Sequence, residues 1–436
     1  MITKPHTPTV TFFTLGCRLN QSETAVLQNR FDAEGFKVVG TDGPSDIAVI
    51  NTCTVTENGD ADTRRLVNRL ARRNPGVMIA LVGCQAQVQR EKLAGLSNVR
   101  WVVGNARKMD LSEIISLDDN PLSTQVITPA IDKKSFVQPA SAADRLHTRV
   151  NLKIQDGCDF FCSFCEIPYA RGRARSRVFS DILREARELA ASGHREAVIT
   201  GINVGTYADD GKSLTDVIDA LESIDGLDRV RISSIEPTTI PGGILERMRD
   251  TQSKLCRYLH IPLQSGSDPV LRAMKRLYTR DEFDQFIRRA AREVTDICIG
   301  TDVIVGFPGE TEGDFDAAVD YLRAAPVHYF HVFSYSVRNR AQSRKLGEGL
   351  PADVIQQRSR ILRSVSQEKR TAFYHGQLGK IEPVLFEKRK HGRWTGVTGN
   401  YLRVSVNSGK DLHNTIRPVK LLRVADGVIE GELLNG

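Results

Sequence analysis

Three cysteines lie close together in the segment DGCDFFCSFC, at residues 156–165. Cys158, Cys162 and Cys165 have the spacing C-x3-C-x2-C, so their sulfur atoms can converge on one metal centre. A structural zinc site and a saturated 4Fe-4S cluster each take four protein ligands. No fourth ligand follows Cys165 at comparable spacing. The motif therefore predicts a zinc site or, in better agreement with the spacing, an iron-sulfur cluster with one iron open to an exchangeable ligand.

A second set of cysteines lies nearer the N-terminus. Cys17, Cys53 and Cys84 each end an apolar run, in VTFFTLGC, DIAVINTC and MIALVGC, and a helical pattern follows each run. One such cysteine is usually a buried core thiol, but three equivalent placements favour a shared role. Ligands of open α/β sheets bind beyond the carboxyl ends of the strands, where all three cysteines fall. In contrast, Cys256 and Cys298 lie inside apolar runs and are expected to be core thiols.

The composition indicates a globular protein with more than one domain. The chain has 436 residues, of which 40% are hydrophobic. Eight cysteines are too few for a disulfide scaffold and no secretory segment follows Met1, so we expect reduced thiols and a cytoplasmic location. No apolar run reaches the length of a membrane span. The net charge of +7 permits a polyanionic partner, and basic runs at 64–73, 171–177 and 388–393 fit either nucleic-acid contacts or ordinary charged faces.

Strand and helix patterns alternate along most of the chain. Residues 8–110 predict a Rossmann-like domain with a parallel sheet, and the polar residues 111–147 predict a linker. Repeated βα units over 148–372 predict a full or partial TIM-type barrel. Short strands with glycine turns over 373–436 predict a small β-barrel of a kind that often binds nucleic acid.

Two aromatic residues of the terminal segment have basic neighbours. Trp394 lies beside Arg393, and Tyr401 lies near Arg403. Because aromatic rings combined with positive charge often stack on bases, we expect these rings to contact RNA unless they are core residues.

Several sequence blocks together resemble one enzyme family. GCRLNQSE, NTCTVTENGD, VGCQAQ and CSFCEIPYARGRARSR are similar to blocks of the radical S-adenosylmethionine (SAM) methylthiotransferase family. The resemblance continues through TGINVGTY, SSIEP, HIPLQSGSD and TDVIVGFPGETE to a terminal barrel similar to a TRAM domain. It implies two 4Fe-4S clusters. The radical SAM cluster would be held by Cys158, Cys162 and Cys165, and the auxiliary cluster by Cys17, Cys53 and Cys84.

The resemblance also implies a reaction. The first cluster would cleave SAM to a 5′-deoxyadenosyl radical that removes a hydrogen atom from the substrate, the second would deliver sulfur, and another SAM would supply the methyl group. Asn203, Glu236 and Gln264 lie in family blocks near SAM and are expected to contact it. The implied partners are the anticodon region of tRNA and an electron donor such as flavodoxin or ferredoxin, while the sulfur source is not identified.

The segment TLGCRLNQSET resembles the subgroup that modifies N6-threonylcarbamoyladenosine. It predicts methylthiolation of C2 of that base at position 37 of tRNA, giving 2-methylthio-N6-threonylcarbamoyladenosine. The alternatives are isopentenyladenosine in tRNA, an aspartate of a ribosomal protein, and a non-catalytic protein that binds zinc and RNA. One departure from the family is Glu166, directly after Cys165, where members more often have a small or aliphatic residue. It would bring a carboxylate close to SAM.

Overall fold

The computed structural model of the chain describes residues 7–117, 123–138, 148–347 and 349–434. The chain divides into two compact units. The first contains Met1–Ala142, Gln155–Asp181 and Ser336–Ala341, and the second contains Ala143–Ile154, Ile182–Tyr335 and Gln342–Gly436. All six cysteines of the two triplets therefore belong to the first unit. Among the described residues, no helix is both long enough and apolar enough to cross a membrane.

The first unit is built on a parallel sheet. Its elements before residue 142 are β1 (Thr9–Thr14), α1 (Arg18–Ala33), β2 (Lys37–Val38), β3 (Ile47–Thr52), α2 (Glu57–Arg73), β4 (Met78–Gly83), α3 (Cys84–Val88), α4 (Arg90–Ala94), β5 (Val99–Val103), α5 (Leu111–Leu117) and β6 (Gln125–Ile127). The six strands pair in parallel in the order β2-β1-β3-β4-β5-β6. The predicted Rossmann-like parallel sheet is thus confirmed.

The central strands of this sheet are buried on both faces. Every residue of β3 is buried, and its alternate side chains enter two different apolar clusters. Val49 belongs to one cluster and Ile50 to the other, as expected for a strand covered by helices on both sides. The core therefore holds the carboxyl ends of β1, β3 and β4 side by side.

The structure differs from the predicted linker at 111–147. Helix α5 and strand β6 lie in this segment, and β6 pairs with β5 at the edge of the sheet. Strand β6 has only three residues and none is fully buried, so the sequence shows no alternation there. Residues 139–147, at the end of the predicted linker, lie outside the described residues.

Further elements follow up to residue 375. They are β7 (Arg149–Lys153), β8 (Gln155–Asp156), α6 (Ile167–Arg171), β9 (Arg175–Ser176), α7 (Phe179–Ala191), β10 (Glu196–Thr200), β11 (Ala208–Asp209), β12 (Lys212–Ser213), α8 (Leu214–Glu222), β13 (Arg229–Ile232), α9 (Ile244–Arg249), β14 (Tyr258–His260), α10 (Asp268–Ala273), α11 (Arg280–Glu293), β15 (Cys298–Val305), α12 (Glu312–Ala324), β16 (Tyr329–Ser334) and α13 (Ala352–His375). Single-turn 3-10 helices occur at Lys108–Asp110, Val204–Thr206, Pro237–Thr239 and Gln342–Lys345.

The second unit contains a partial barrel. Parallel strands pair in the orders β13-β10-β7 and β14-β15-β16. The two sheets meet where Val230 of β13 exchanges backbone hydrogen bonds with residues 254 and 256. Helices between successive strands make each connection a βα unit, and a capping box of Thr279 and Glu282 begins α11. The predicted partial TIM-type barrel is confirmed.

A closed five-stranded barrel ends the chain. Its strands are β17 (Ile381–Lys390), β18 (Arg393–Thr398), β19 (Arg403–Asn407), β20 (Ile416–Ala425) and β21 (Val428–Leu433). They close in the order β17-β18-β19-β21-β20, with β19 and β21 parallel and the other pairs antiparallel. The predicted small β-barrel is confirmed.

The two aromatic residues expected to stack on bases serve another purpose. Trp394 is only 8% exposed and packs in the core of the terminal barrel. The Tyr401 ring lies 4.6 Å from the Tyr258 ring of the partial barrel, and the Arg231 guanidinium covers it at 5.3 Å. The prediction of base stacking by Trp394 and Tyr401 is therefore wrong, because both rings are used in packing within the second unit.

A cluster of buried charged residues connects strands β10 and β13 of the partial barrel. Arg231 binds Glu196 at 2.7 Å, both side chains are fully buried, and Arg229 lies 3.6 Å from the same carboxylate. Arg231 also donates to the carbonyls of Thr398 and Gly399, so it links the partial barrel to the terminal barrel. Cys256 and Cys298 lie in the apolar core beside this cluster, as expected of core thiols.

Candidate metal centres

The three N-terminal cysteines lie at the carboxyl ends of three neighbouring strands. Cys17 caps the N-terminus of α1 after β1, Cys53 directly follows β3, and Cys84 follows β4 as the first residue of α3. Because β1, β3 and β4 are adjacent in the sheet, the three side chains are brought to one edge. Cys17 and Cys84 each stand at the N-terminus of a helix, α1 and α3 respectively.

Gly16 shows how closely two of these residues approach. It has a φ of +92°, and a Cβ atom there would lie 2.6 Å from Sγ of Cys53. Only glycine fits both the left-handed backbone and the close contact. The turn at Gly16 therefore brings the Cys17 loop against Cys53.

The thiol of Cys53 is in an environment that favours its protonated form. Burial, followed by the neighbouring Cys84 thiol, raises the pKa of Cys53 to about 12, against the opposing effects of a backbone hydrogen bond from Val55 and of the Arg171 guanidinium. A metal that binds Cys53 must displace this proton, so ligation here is coupled to proton release.

The separation of the sulfur atoms argues against a single zinc ion at this edge. Among the described residues, the sulfur atoms of Cys17, Cys53 and Cys84 do not all lie within 4.8 Å of one another. Tetrahedral zinc with bonds of about 2.3 Å would hold its sulfur ligands about 3.8 Å apart. A cubane binds each thiolate to a different iron and suits the wider spacing.

The second triplet lies on the loop between β8 and α6. The backbone N–H of Cys165 donates to the carbonyl of Cys162 at 3.0 Å, and that of Cys158 donates to Gly172 at 3.2 Å. Gly157 has a φ of +72°, and a Cβ atom there would lie 2.1 Å from the carbonyl oxygen of Arg173. The loop can therefore close on itself only with glycine before the first cysteine. All three cysteines are half-buried.

A buried arginine connects the two cysteine-bearing segments. Arg171, at the end of α6, donates two hydrogen bonds of 2.9 Å to the Glu23 carboxylate in α1 and one of 3.0 Å to Asp156. The side chains of Arg171, Glu23 and Asp156 are at most 2% exposed. Lys108 pairs with Glu23, and Arg175 lies 3.2 Å from Asp156. This network joins the helix that follows Cys17 to the residue that precedes Gly157 and Cys158.

The charge of the network suits an anionic group beside it. Lys108, Arg171 and Arg175 take part in it, and the Arg171 guanidinium is close enough to the Cys17 and Cys84 thiols to interact with them electrostatically. A 4Fe-4S core held by three thiolates has a small net negative charge, which a guanidinium in this position would stabilise. The thiols and their surroundings fit such a cluster.

Two asparagines align the cysteine loops. The Asn20 side chain donates to the carbonyls of Leu15 and Thr52, at 2.8 and 3.1 Å, and accepts from Arg171 at 2.6 Å. Asn105 donates to the carbonyl of Ala170 at 2.7 Å, and its Nδ2 lies 3.6 Å from Sγ of Cys84. Each amide thus connects a cysteine-bearing turn to the α6 segment.

Glu166 connects the segment that follows Cys53 to the segment that follows Cys165. It is 4% exposed, accepts a 3.3 Å hydrogen bond from the Thr54 hydroxyl, and accepts a second of 3.3 Å from the backbone N–H of Arg340. Thr54 follows Cys53 and Glu166 follows Cys165. The unusual carboxylate therefore holds the residues next to two cysteines in register.

The basic run at 171–177 is not the exposed patch that the sequence suggested. Arg171 and Arg177 are fully buried, and the side chain of Arg175 is only 13% exposed. In contrast, the arginines of α2 and the residues of 388–390 are mostly exposed. Two of the three basic runs are therefore available to a polyanion.

The expected SAM contacts lie in the second unit. Thr239 Oγ1 lies 2.9 Å from Asn203 Oδ1 and 3.1 Å from the Glu236 carbonyl, so these two segments are connected. The Glu236 carboxylate binds Arg276, and burial raises its pKa against the effect of that arginine. Gln264, four residues after the end of β14, has a φ of +73°, and its backbone forms hydrogen bonds with Asp302 and Ile304 of β15. Among the described residues, no side-chain hydrogen bond joins Gln264 to Asn203 or Glu236.

Comparison with known proteins identifies the family. The model of the uncharacterized protein family UPF0004 matches residues 9–104, and that of the radical SAM superfamily matches residues 152–322. Threonylcarbamoyladenosine tRNA methylthiotransferase MtaB of Aquifex aeolicus is 35% identical over 94% of this chain and 99% of its own length. The MtaB of Bacillus subtilis is 32% identical over 98% and 96%. The chain belongs to the radical SAM methylthiotransferase family.

A methylthiotransferase is a transferase, and a radical SAM domain implies SAM and a 4Fe-4S cluster. A tRNA-2-methylthio-N(6)-dimethylallyladenosine synthase of Cereibacter sphaeroides is also 32% identical, over 97% of this methylthiotransferase and 98% of its own length. A solved radical SAM methyltransferase, TsrM of Kitasatospora setae, superposes with a TM-score of 0.55 at 15% identity and covers 76% of this chain and 75% of its own. At that identity the likeness establishes the radical SAM fold alone.

Sequence reasoning missed the residues that connect the triplets. In the sequence, Arg171 is one residue of a basic run, and Glu23, Asp156 and Asn105 are isolated polar residues. The sequence does place Asp156 and Arg171 close to the cysteine motif, one on each side, which indicates a role near the metal centre. The partner of Arg171 lies 148 residues away, which a local pattern does not reveal.

Proposed function

We propose that this methylthiotransferase converts N6-threonylcarbamoyladenosine at position 37 of tRNA to its 2-methylthio derivative. The two MtaB relatives support this base, since each aligns with nearly the whole chain. The observation that carries the proposal is the presence of two separate three-cysteine sets in one compact unit. A protein that used zinc only to stabilise its fold would need neither two sets nor an open position in each.

The six cysteines would hold the two clusters. Cys158, Cys162 and Cys165 are assigned to the radical SAM cluster, and Cys17, Cys53 and Cys84 to the auxiliary cluster. When bound, these groups supply SAM cleavage, hydrogen abstraction and sulfur transfer, the chemistry that replaces C–H by C–S–CH3. Asn203, Glu236 and Gln264 would bind polar groups of SAM.

Other residues of the first unit would keep the two cysteine triplets aligned and exclude water from them. Arg171 and Glu166 each bind both cysteine-bearing segments, so neither segment can shift without breaking buried polar contacts. Precise placement of reacting groups is the main contribution of a protein to cofactor chemistry. The exposed basic residues of α2 and of 388–390 would contact tRNA phosphates, and a small electron-transfer protein such as flavodoxin or ferredoxin would supply electrons.

The experiment is reconstitution under anaerobic conditions followed by an assay on defined tRNA. About eight irons and eight sulfides per chain are expected for two cubanes. With SAM and a reductant, tRNA that carries threonylcarbamoyladenosine should gain one methylthio group by mass spectrometry of its nucleosides. Zinc without labile sulfide would contradict the mechanism.

The same assay separates the alternative substrates. tRNA that carries dimethylallyladenosine, the base in the name of the Cereibacter sphaeroides relative, should react far more slowly. Equal or faster reaction of that tRNA would contradict the proposed base. Methylthiolation of ribosomal proteins with no reaction on either tRNA would contradict the proposed substrate class.

A further inference from the structure

Three side chains on adjacent strands of the partial barrel form a cluster that the proposed reaction does not use. His260 ends β14, Asp302 lies in β15 and His331 lies in β16. Asp302 pairs in register with His331, and His260 pairs with Gly300, two residues before Asp302, so all three share one face. In the described part of the chain, they are the one set of three His, Cys, Asp or Glu side chains whose ligand atoms lie within 4.8 Å of one another.

The distances in this cluster are close to those of a metal coordination shell. Nδ1 of His331 lies 3.1 Å from Oδ1 of Asp302, and Nε2 of His260 lies 3.2 Å from the same oxygen. Tetrahedral zinc with bonds of about 2.0 to 2.1 Å would set its ligand atoms about 3.3 Å apart. The third pair, one nitrogen of each imidazole, lies within 4.8 Å. A rotation of the exposed His331 ring that shortened this separation toward about 3.3 Å would bring all three ligand atoms onto one ion.

His260 supplies a second, independent observation. Its side chain is 7% exposed, and its Nε2 lies 3.2 Å from Oδ1 of Asp302 without the alignment of a good hydrogen bond. Its other ring nitrogen, Nδ1, lies 3.0 Å from the hydroxyl oxygen of Ser234. When Nδ1 donates to Ser234, the lone pair of Nε2 faces a carboxylate oxygen, an arrangement that a bound cation would stabilise. Metal-bound histidines commonly use their second nitrogen in this way.

The cluster is open on one side. The side chain of His331 is 59% exposed, whereas that of Asp302 is 20% exposed. Two imidazoles and one carboxylate are the donor set of many sites that bind zinc or ferrous iron and keep further positions for water or substrate. The exposed side is where such a ligand would enter.

We propose that His260, Asp302 and His331 bind one divalent transition-metal ion of the zinc class, with at least one coordination position left for water or another oxygen ligand. Ser234 is a positioning residue that orients the His260 ring. This metal site is separate from the six cysteines and does not depend on the proposed methylthiotransferase activity.

The test measures zinc retained by the reconstituted protein, in which iron-sulfur clusters occupy the cysteines. After incubation with zinc and passage over a chelating resin, the wild type should retain about one zinc per chain, and Asp302→Asn and His331→Ala should retain almost none. Ser234→Ala should weaken zinc binding by about 10-fold, the usual effect of removing an outer hydrogen bond. His391→Asn is the matched control, because His391 lies on an exposed turn with a φ of +46° that asparagine tolerates. It should retain zinc like the wild type.

Zinc X-ray absorption separates this site from an unfilled cysteine site. Nitrogen and oxygen neighbours at about 2.0 to 2.1 Å without sulfur are expected, whereas sulfur at about 2.3 Å would place the zinc on cysteines and overturn the proposal. Equal zinc retention by the wild type, Asp302→Asn and His331→Ala would also overturn it. Circular dichroism and iron content, unchanged in the exposed His331→Ala variant, would show that lost zinc does not reflect lost folding.

Discussion

Arg171 and Glu23 form a bidentate ion pair across 148 residues of sequence, with both side chains fully buried. The pair joins the helix that follows Cys17 to the segment that carries the second cysteine triplet. Removing one partner of such a pair leaves a buried charge without compensation, at a cost of about 3 to 5 kcal/mol.

Arg171→Met should therefore destabilise the protein and reduce cluster retention. We expect a lower melting temperature and iron well below the wild-type content after identical reconstitution. Arg171→Lys keeps the positive charge but loses the planar guanidinium that binds both carboxylate oxygens of Glu23. Its melting temperature and iron content should lie between those of the wild type and Arg171→Met. The matched control is Arg173→Lys, since Arg173 is 48% exposed and pairs with Asp159 at the surface. An Arg171→Met protein with full iron content and wild-type melting would show that the network does not support the clusters.

The two cysteine sets should have separable roles. Cys158→Ala should abolish both SAM cleavage and methylthiolation, whereas Cys17→Ala should retain SAM cleavage and lose only sulfur insertion. The measurements are 5′-deoxyadenosine formation and methylthio nucleoside yield in the same reactions. Cys256→Ala, which removes a buried thiol from the core, should retain both activities. Equal loss of SAM cleavage in Cys17→Ala and Cys158→Ala would contradict this division.

Gly157→Ala should disrupt the loop that carries Cys158, Cys162 and Cys165. The new Cβ atom would lie 2.1 Å from the carbonyl oxygen of Arg173, and the φ of +72° adds strain for any L side chain. We expect loss of SAM cleavage and about half of the iron. Gly211→Ala has an almost equal φ of +73° but no atom within 4 Å of the new Cβ, so it controls for backbone strain alone. Equal SAM cleavage and equal iron content in the two variants would show that the close contact at Gly157 does not determine the conformation of the cysteine loop.

The buried Glu196 should make the stability of the second unit depend on pH. Burial alone would raise the pKa of Glu196, but Arg231, Arg149 and Arg229 outweigh burial and lower it from 4.5 to about 2. A lowered folded-state pKa stabilises the fold above the unfolded value of 4.5, and this stabilisation is lost as the pH falls toward 2. The shift corresponds to about 3 kcal/mol at neutral pH.

Glu196→Gln should consequently lower the melting temperature at neutral pH, and the difference from the wild type should shrink as the pH falls below about 4.5. The control is Glu188→Gln, because Glu188 forms an exposed helical pair with Arg184 that contributes only a few tenths of a kcal/mol. A difference in melting temperature that is constant over this pH range would contradict the assigned ion pairs.

Binding of tRNA should depend on the exposed basic residues of the terminal barrel. Replacing Lys388, Arg389 and Lys390 by glutamine should weaken binding and reduce the slope of log Kd against log salt by about 2 to 3, since each phosphate contact contributes about 0.7 to 0.9. Lys212→Gln, in an exposed hairpin of the second unit, is the control and should leave the slope unchanged. A wild-type affinity that is insensitive to salt would exclude the phosphate contacts.

Much of the fold followed from local patterns in the sequence. Apolar runs that end in Cys17, Cys53 and Cys84 were enough to predict parallel strands with cysteines at their carboxyl ends, because the strands are buried on both faces. The short edge strand Gln125–Ile127 was missed because it buries little.

Long-range relationships were harder to predict. Arg171 and Arg177 look like surface residues in a basic run, and only their distant or buried partners account for their burial. Tyr401 looks like a nucleic-acid contact until its packing against Tyr258 is known. Local sequence reveals which residues can bind a metal, whereas the buried charges that align them depend on contacts between distant segments.

The most direct test of the central claim is mass spectrometry of tRNA nucleosides from cells with the gene, without it, and with a Cys17→Ala copy. The account predicts 2-methylthio-N6-threonylcarbamoyladenosine only in cells with the wild-type gene, and unmodified N6-threonylcarbamoyladenosine in the other two. Persistence of the methylthio nucleoside in the deletion strain, or loss of a different methylthio nucleoside in its place, would contradict it.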